Sequence, residues 1–363
     1  METVQLRGSR AHREIALLRL VAQRLAGPRL ANPAEAVGWM TAAQAQDLPG
    51  ALTSIALRVD GGDRTVVTAA LDRGEVVRAW PMRGTLHLTR AEDMPWLVGL
   101  LAGRVRDGAV KRREALGLDQ PTLLRAERLA VEALAGGQRL TRAQLLAAWE
   151  AGGIAMTGPR GYHLLWYLAQ SNLVCLGPTQ GREQLVVRVD EWITRPRQPT
   201  REEALAQLAR RYFHSHGPAT RKDFIRWTGL TATDAKAGLA AAAPQLARLV
   251  VDDTEYFLDP RTPDLLAECR ADAQRVRLLP GFDEFMLGYA DRSAALPPPY
   301  ADRIVPGGNG VFRPTVVDRG QIVGTWRSVG KGAGRRIEAS PFETFPARVS
   351  GALDDLHAAP PWK

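Results

Sequence analysis

The sequence predicts an α+β fold: three tandem winged-helix motifs followed by a β-rich C-terminal element. Three observations carry this. Helix-start signals, short turns and paired apolar runs recur three times at loose spacing, unlike the fixed period of a solenoid. One of these stretches, His216 to Leu258, reads without a gap as helix, turn, helix and hairpin. Beyond about Val276 the chain becomes richer in Pro and Gly, and its apolar segments shorten and alternate.

In the clearest stretch, Gly217-Pro218 is a turn and Thr220 caps a helix over Arg221 to Trp227. Thr228-Gly229-Leu230 makes a short turn. Thr231 or Thr233 then starts a second helix, Asp234 to Ala242. Leu249 to Val251 and Tyr256 to Leu258 flank the turn Asp252-Asp253 and read as the wing. This is the order of a winged helix.

A second stretch runs from Arg139 to Val189. Thr141 caps Ala143 to Trp149, Gly152-Gly153 turns the chain, and a helix follows around Tyr162 to Ala169. Leu173 to Leu176 and Leu185 to Val189 are its wing strands. The first stretch, Ile15 to Thr89, is looser. Leu48 to Val59 and Val66 to Arg73 read as helices, Val76 to Trp80 and Gly84 to Leu88 as paired strands. In the C-terminal part, Val311 to Val317 and Gln321 to Trp326 flank the hairpin signal Asp318-Arg319-Gly320. The resulting segments are 1–100, 101–200 and 201–270, one winged helix each, and 271–363, the β-rich element.

Charge points to the partner. The 363 residues carry 48 Lys+Arg against 39 Asp+Glu, a net charge of +9 with a pI near 10.0. Such a surplus favours a polyanion, nucleic acid before an anionic membrane surface. Between Arg319 and Arg336 lie Arg319, Arg327, Lys331, Arg335 and Arg336, with no acid among them. A basic, Gly-rich loop beside a hairpin suits a groove probe that sets guanidinium groups on phosphates.

Composition and motifs exclude much else. Two cysteines, Cys175 and Cys269, exclude a disulfide scaffold and a Cys-based zinc site, and both read as buried fillers in a reducing compartment. Neither a signal peptide nor an apolar run of about 18 residues is present, so a cytoplasmic protein is expected. No P-loop, HExxH or GxSxG motif occurs. The six histidines show no ligand spacing, so neither metal nor other cofactor is expected.

One short segment is unusual: Ala43-Gln44-Ala45-Gln46-Asp47-Leu48-Pro49-Gly50. Asp47 suits an N-cap and Pro49 a first helical turn, so Gln44 and Gln46 precede the helix in extended chain. Residues two apart then share a face. Two amides so placed either hold a water and present carbonyl oxygens to a developing cation, or merely satisfy backbone groups at a helix start.

Gln44 to Asp47 followed by Ala51 to Arg58 resembles the Gln-apolar-Gln motif of the AlkZ-like winged-helix DNA glycosylases, whose other branch is typified by YcaQ. Met82 to Leu88, Gly217 to Leu230 and Leu279 to Arg292 are also similar, so the likeness spans about Ile15 to Arg336. It implies a C-shaped array of three winged helices with a C-terminal β-element around duplex DNA. It further implies cleavage of the N-glycosidic bond of N7-alkylated purines, including bulky toxin adducts and interstrand crosslinks. The YcaQ branch has Asp for the second Gln. Gln46 therefore sides with the AlkZ branch, associated with self-resistance in makers of DNA-alkylating metabolites.

On this resemblance Gln44 and Gln46 are the expected catalytic residues, holding water and the deoxyribose side of the transition state, and Asp47 is a helix cap. Arg83, Thr85 and His87 are expected on a wing beside the same cleft. Arg319, Arg327, Lys331, Arg335 and Arg336 are expected on the groove probe. The expected partner is double-stranded DNA containing alkylated purines, met by a monomer with no membrane and no obligate protein partner. A non-enzymatic winged-helix transcriptional regulator shares the charge and the helices but does not call for two glutamines in extended chain. A drug-sequestering resistance protein is the third possibility.

Overall fold

The computed structural model describes residues 3–6, 8–181, 183–330 and 336–358. The chain forms two compact units, residues 1–67 with 205–363, and residues 68–204. The first expected motif is thus divided: helix Leu48–Ala56 falls in one unit, helix Arg64–Asp72 straddles the boundary, and the Val76–Arg90 hairpin falls in the other.

Capping chemistry sets the helices. In the 205–363 part, Thr220 and Asp223 form a reciprocal capping box at the start of Arg221–Thr228, and Gly229 closes that helix at φ +74°. Thr231 caps Ala232–Ala242 by accepting the Asp234 N–H. Strands Ala247–Val251 and Thr254–Leu258 follow, joined through Asp252 and Asp253, both at positive φ. Arg201–His216 precedes them. The two expected helices and the hairpin therefore stand in order, behind a further helix that the stretch did not include. Strand Thr3–Leu6, which the sequence did not signal, adds to this hairpin parallel to Ala247–Val251.

Residues 68–204 repeat the order with Gln120–Ala133, Arg142–Ala151 and Arg160–Gln170, then strands Val174–Gln180 and Glu183–Arg188. A Thr141/Gln144 capping box starts the middle helix. The two repeats share a further detail. The residue before the capping threonine bridges to the second hairpin strand, Leu140 to Val186 here and Ala219 to Phe257 in the other unit. The hairpin Val76–Met82/Thr85–Arg90 joins the Val174–Gln180 strand in one antiparallel sheet.

The C-terminal element is an antiparallel sheet in the order Arg336–Pro341, Gln321–Val329, Thr315–Asp318, Arg277–Leu279. The expected hairpin is present, with Arg319 (φ +51°) and Gly320 (φ +76°) as its two-residue turn. Val311 to Pro314, expected as strand, is irregular. Helix Gly8–Ala22 lies in the core of this unit. Ile15, Leu20 and Val21 are fully buried with Leu249 and Val251 of the Ala247–Val251 strand and Phe285 and Ile322 of the C-terminal part.

Cys175 is buried, and burial pushes its thiol up to about 12. Cys269 is only half-buried, which corrects the expectation of two buried fillers. Among the described residues no helix is long and apolar enough to cross a membrane, and no cluster of His, Cys, Asp or Glu suits a metal ion.

Candidate active site

Gln44 ends the short strand Ala43–Gln44, and helix Leu48–Ala56 begins four residues later. The expected extended chain before a helix is therefore present at Gln44, but Gln46 lies in a bend between strand and helix. Gln44 is buried and Gln46 exposed, so the two amides do not share one environment. Gln44 Oε1 is buried with no hydrogen-bond partner among the described residues. A buried carbonyl left so is costly, about 1–3 kcal/mol.

Asp47 holds the N-cap position but makes no capping hydrogen bond, which corrects its expected role. Its carboxylate lies over the first turn instead. A Cβ on Gly50 would stand 2.6 Å from Asp47 Oδ2.

What fixes this segment comes from far along the chain. The Gln44 N–H donates to Glu284 Oε1 at 2.8 Å. Trp227 Nε1 donates to Glu284 Oε2 at 2.9 Å, and His216 Nε2 lies 3.5 Å from the same oxygen. The neighbouring Asp283 holds the following helix. It accepts from Ser54 Oγ at 2.6 Å and from Arg58 Nη1 at 2.9 Å and Nη2 at 3.1 Å. Arg58 Nη2 also donates to Gln23 Oε1, Gln23 Nε2 to the Tyr289 hydroxyl, and that hydroxyl to the His216 carbonyl. Every one of these side chains is buried.

The electrostatics follow from burial. Arg58 and Asp283 form an enclosed ion pair, each about 1% exposed. Burial lowers the His216 pKa, against the smaller opposing pull of Glu284, so the imidazole stays neutral. Tyr212 stacks on it at 4.8 Å between ring centres. The Tyr289 hydroxyl is pushed up by burial and acts as a neutral donor and acceptor.

The sequence reading gave Asp283 and Glu284 no role, although Leu279 to Arg292 carried part of the resemblance. The available signal was two consecutive acids in an apolar run, Phe282-Asp283-Glu284-Phe285-Met286. Consecutive carboxylates that are both buried must each have their own partners.

The expected DNA-contacting residues divide. Arg83 (φ +54°) and Gly84 make the turn of the Val76–Arg90 hairpin. Arg83 Nη2 donates to His87 Nε2 at 3.1 Å, which leaves Nδ1–H to donate to the Thr85 carbonyl at 2.9 Å. His87 is buried and both ring nitrogens are engaged, so it braces the turn rather than offering a surface contact.

The basic segment from Arg319 to Arg336 does not stay together. Arg319 lies at one end of the nine-residue strand Gln321–Val329, and Arg327 and Arg336 lie toward the other, roughly 25 Å along it. The segment is also not acid-free in space. Register sets Glu338 opposite Arg327, and Glu338 accepts from Arg327 Nη2 at 2.7 Å and Arg336 Nη2 at 3.0 Å. Lys331 and Arg335 lie outside the described residues.

Comparison with known proteins places this architecture. Residues 37–359 match the sequence profile of the family described as DNA glycosylase AlkZ-like. The chain belongs to the AlkZ-like DNA glycosylase family. An interstrand DNA cross-link repair glycosylase of Streptomyces sahachiroi is 26% identical over 336 residues, 88% of each chain. The solved structure of Streptomyces sahachiroi DNA glycosylase AlkZ is similar in fold, with a TM-score of 0.79 over 95% of this chain and 94% of that one, at 24% identity. In this AlkZ-like chain the Asp283-Glu284 pair ties the Gln44 strand and the Leu48–Ala56 helix to the C-terminal part of the same unit.

Proposed function

We propose that this glycosylase hydrolyses the N-glycosidic bond of N7-alkylated purines in duplex DNA, acting on bulky genotoxin adducts and interstrand crosslinks in repair or self-resistance. The observation that carries the reading is Gln44: a buried amide oxygen without a partner among the described residues, on a backbone pinned at 2.8 Å by Glu284.

The chemistry suits an uncharged site. N7 alkylation makes the purine cationic, so it departs with the C1′–N9 bonding electrons as a neutral base. The sugar becomes oxocarbenium-like and water attacks C1′, its proton passing to solvent. So good a leaving group needs little general-base help. Gln44 Oε1 presents the negative end of its dipole to water or to the developing cation, and Gln46 takes the exposed side of the same nucleotide. Preorganised dipoles of this kind act at no reorganisation cost. Arg83 on its turn, Arg327 and Arg336 on the neighbouring strands Gln321–Val329 and Arg336–Pro341, and Lys331 and Arg335 contact phosphates, while the Thr85 hydroxyl is buried and makes no such contact.

Base release from duplexes carrying defined N7 adducts tests this. Gln44→Ala and Gln46→Ala should lose excision while binding duplex nearly as well as the parent. Full activity in both variants would remove the assignment. Tight binding to a palindrome without base release would mark a regulator instead.

A further inference from the structure

We propose that the groove between helix Gly8–Ala22 and the Arg319-Gly320 turn is a second binding site for DNA phosphodiesters. It rests on the reading that this chain acts on duplex DNA, and its residues are distinct from those around Gln44. The groove encloses about 1140 Å³.

Its charge is not balanced. Among the described residues five arginines and two acids line it. Glu14 accepts from Arg270 at 3.0 and 2.5 Å, and Asp318 is held by both terminal nitrogens of Arg348. Those two pairs cancel. Arg10, Arg13 and Arg319 remain, exposed and with no carboxylate partner among the described residues. Arg10 and Arg13 are three apart on one helix and so share a face.

Arg319 is set against them by the turn. A Cβ at Gly320 would meet Ala16 Cβ at 3.1 Å and the Leu17 backbone nitrogen at 3.3 Å, so the turn is pressed onto the helix that carries Arg10 and Arg13. Arg319 holds a left-handed backbone, φ +51°, that an arginine adopts only at a cost. Three unpaired guanidiniums round a groove far larger than one phosphate suit a polymer. Each exposed contact is weak for a free ion, but counterion release makes them add along a DNA backbone.

Binding of an undamaged duplex across a salt series tests the site without any excision step. The triple variant Arg10→Ala, Arg13→Ala, Arg319→Gly removes the charges at exposed positions, and glycine suits the left-handed turn. The slope of log affinity against log salt should shrink by roughly 2–3, since each phosphate contributes about 0.9. The corresponding triple lysine variant should keep most of the slope. An unchanged slope in the triple variant overturns the proposal. So does thermal stabilisation of the parent, but not the variant, by inorganic phosphate with no change in slope, which would mark a free-anion site. Loss of excision chemistry in the parent itself would remove the glycosylase reading while leaving the slope measurement intact.

Discussion

The backbone N–H of Gln44 donates to the carboxylate of Glu284 at 2.8 Å, across 240 residues of sequence. Glu284 Oε2 in turn accepts from Trp227 Nε1. One buried carboxylate therefore joins the glutamine strand to a helix of the Thr220–Leu258 repeat, and its two oxygens serve two donors. Glu284→Gln offers one acceptor and one amide group, so one donor must face an N–H. Excision should fall about tenfold or more, the equivalent of about 1.4 kcal/mol in the barrier, with duplex affinity unchanged. Single-turnover rates alongside binding isotherms check this. Parent rates in Glu284→Gln would show that the contact does not position Gln44.

Asp283 and Arg58 should behave differently, as a stability pair. Asp283→Ala leaves a fully buried guanidinium without its counter-ion, and losses of that kind run about 3–5 kcal/mol. Denaturant unfolding should show it. Replacing both residues with apolar side chains of similar volume should recover much of the loss. A single-variant loss below about 1 kcal/mol would mean that Gln23 and the backbone carbonyl of Ser54 suffice for Arg58.

The repeats were legible because their signals are local. Thr141, Thr220 and Thr231 cap helices through residues three positions away, and Asp252-Asp253 makes its turn within four residues. The extended chain at Gln44 was legible for the same reason. The clamp was not, because Glu284 and Asp283 act on Gln44 and Arg58 over more than two hundred residues. The charge reading failed in one respect for a related reason. A window along the chain found no acid between Arg319 and Arg336, but antiparallel register brings Glu338 back across to Arg327.

Two glycines beside the site should respond in opposite ways. A Cβ at Gly50 meets the end of an exposed side chain, Asp47 Oδ2 at 2.6 Å. Gly50→Ala therefore displaces only that carboxylate. Stability should hold or rise by up to about 1 kcal/mol, with excision within twofold of the parent. A Cβ at Gly281 meets the Phe312 carbonyl oxygen at 2.6 Å, a backbone atom that cannot step aside. Gly281→Ala should shift Asp283 and Glu284 and lower stability and excision together. A large loss of excision in Gly50→Ala at unchanged stability would give the Asp47 carboxylate a part in the chemistry.

The pH dependence of stability follows from buried histidines. His216, His214 and His163 each have a pKa lowered chiefly by burial. For His216 the facing groups are Glu284, which opposes the shift, Arg58, which adds to it, and the rings of Tyr212, Trp227 and Tyr289. A histidine whose folded pKa lies below its unfolded value near 6.5 takes up its proton later in the native state than in the unfolded chain. Between those values the unfolded chain binds more protons, so stability rises with pH there. The contribution is complete above about pH 6.5 and is lost as pH falls through the folded pKa values. Denaturation midpoints should therefore be flat from about pH 8 to 7 and decline below about 6.5, before the carboxylates titrate. His216→Gln should flatten part of that decline, and the His216 ring resonances should titrate below the free imidazole range. A midpoint that does not change between about pH 7.5 and 5.5 would contradict a buried, neutral His216.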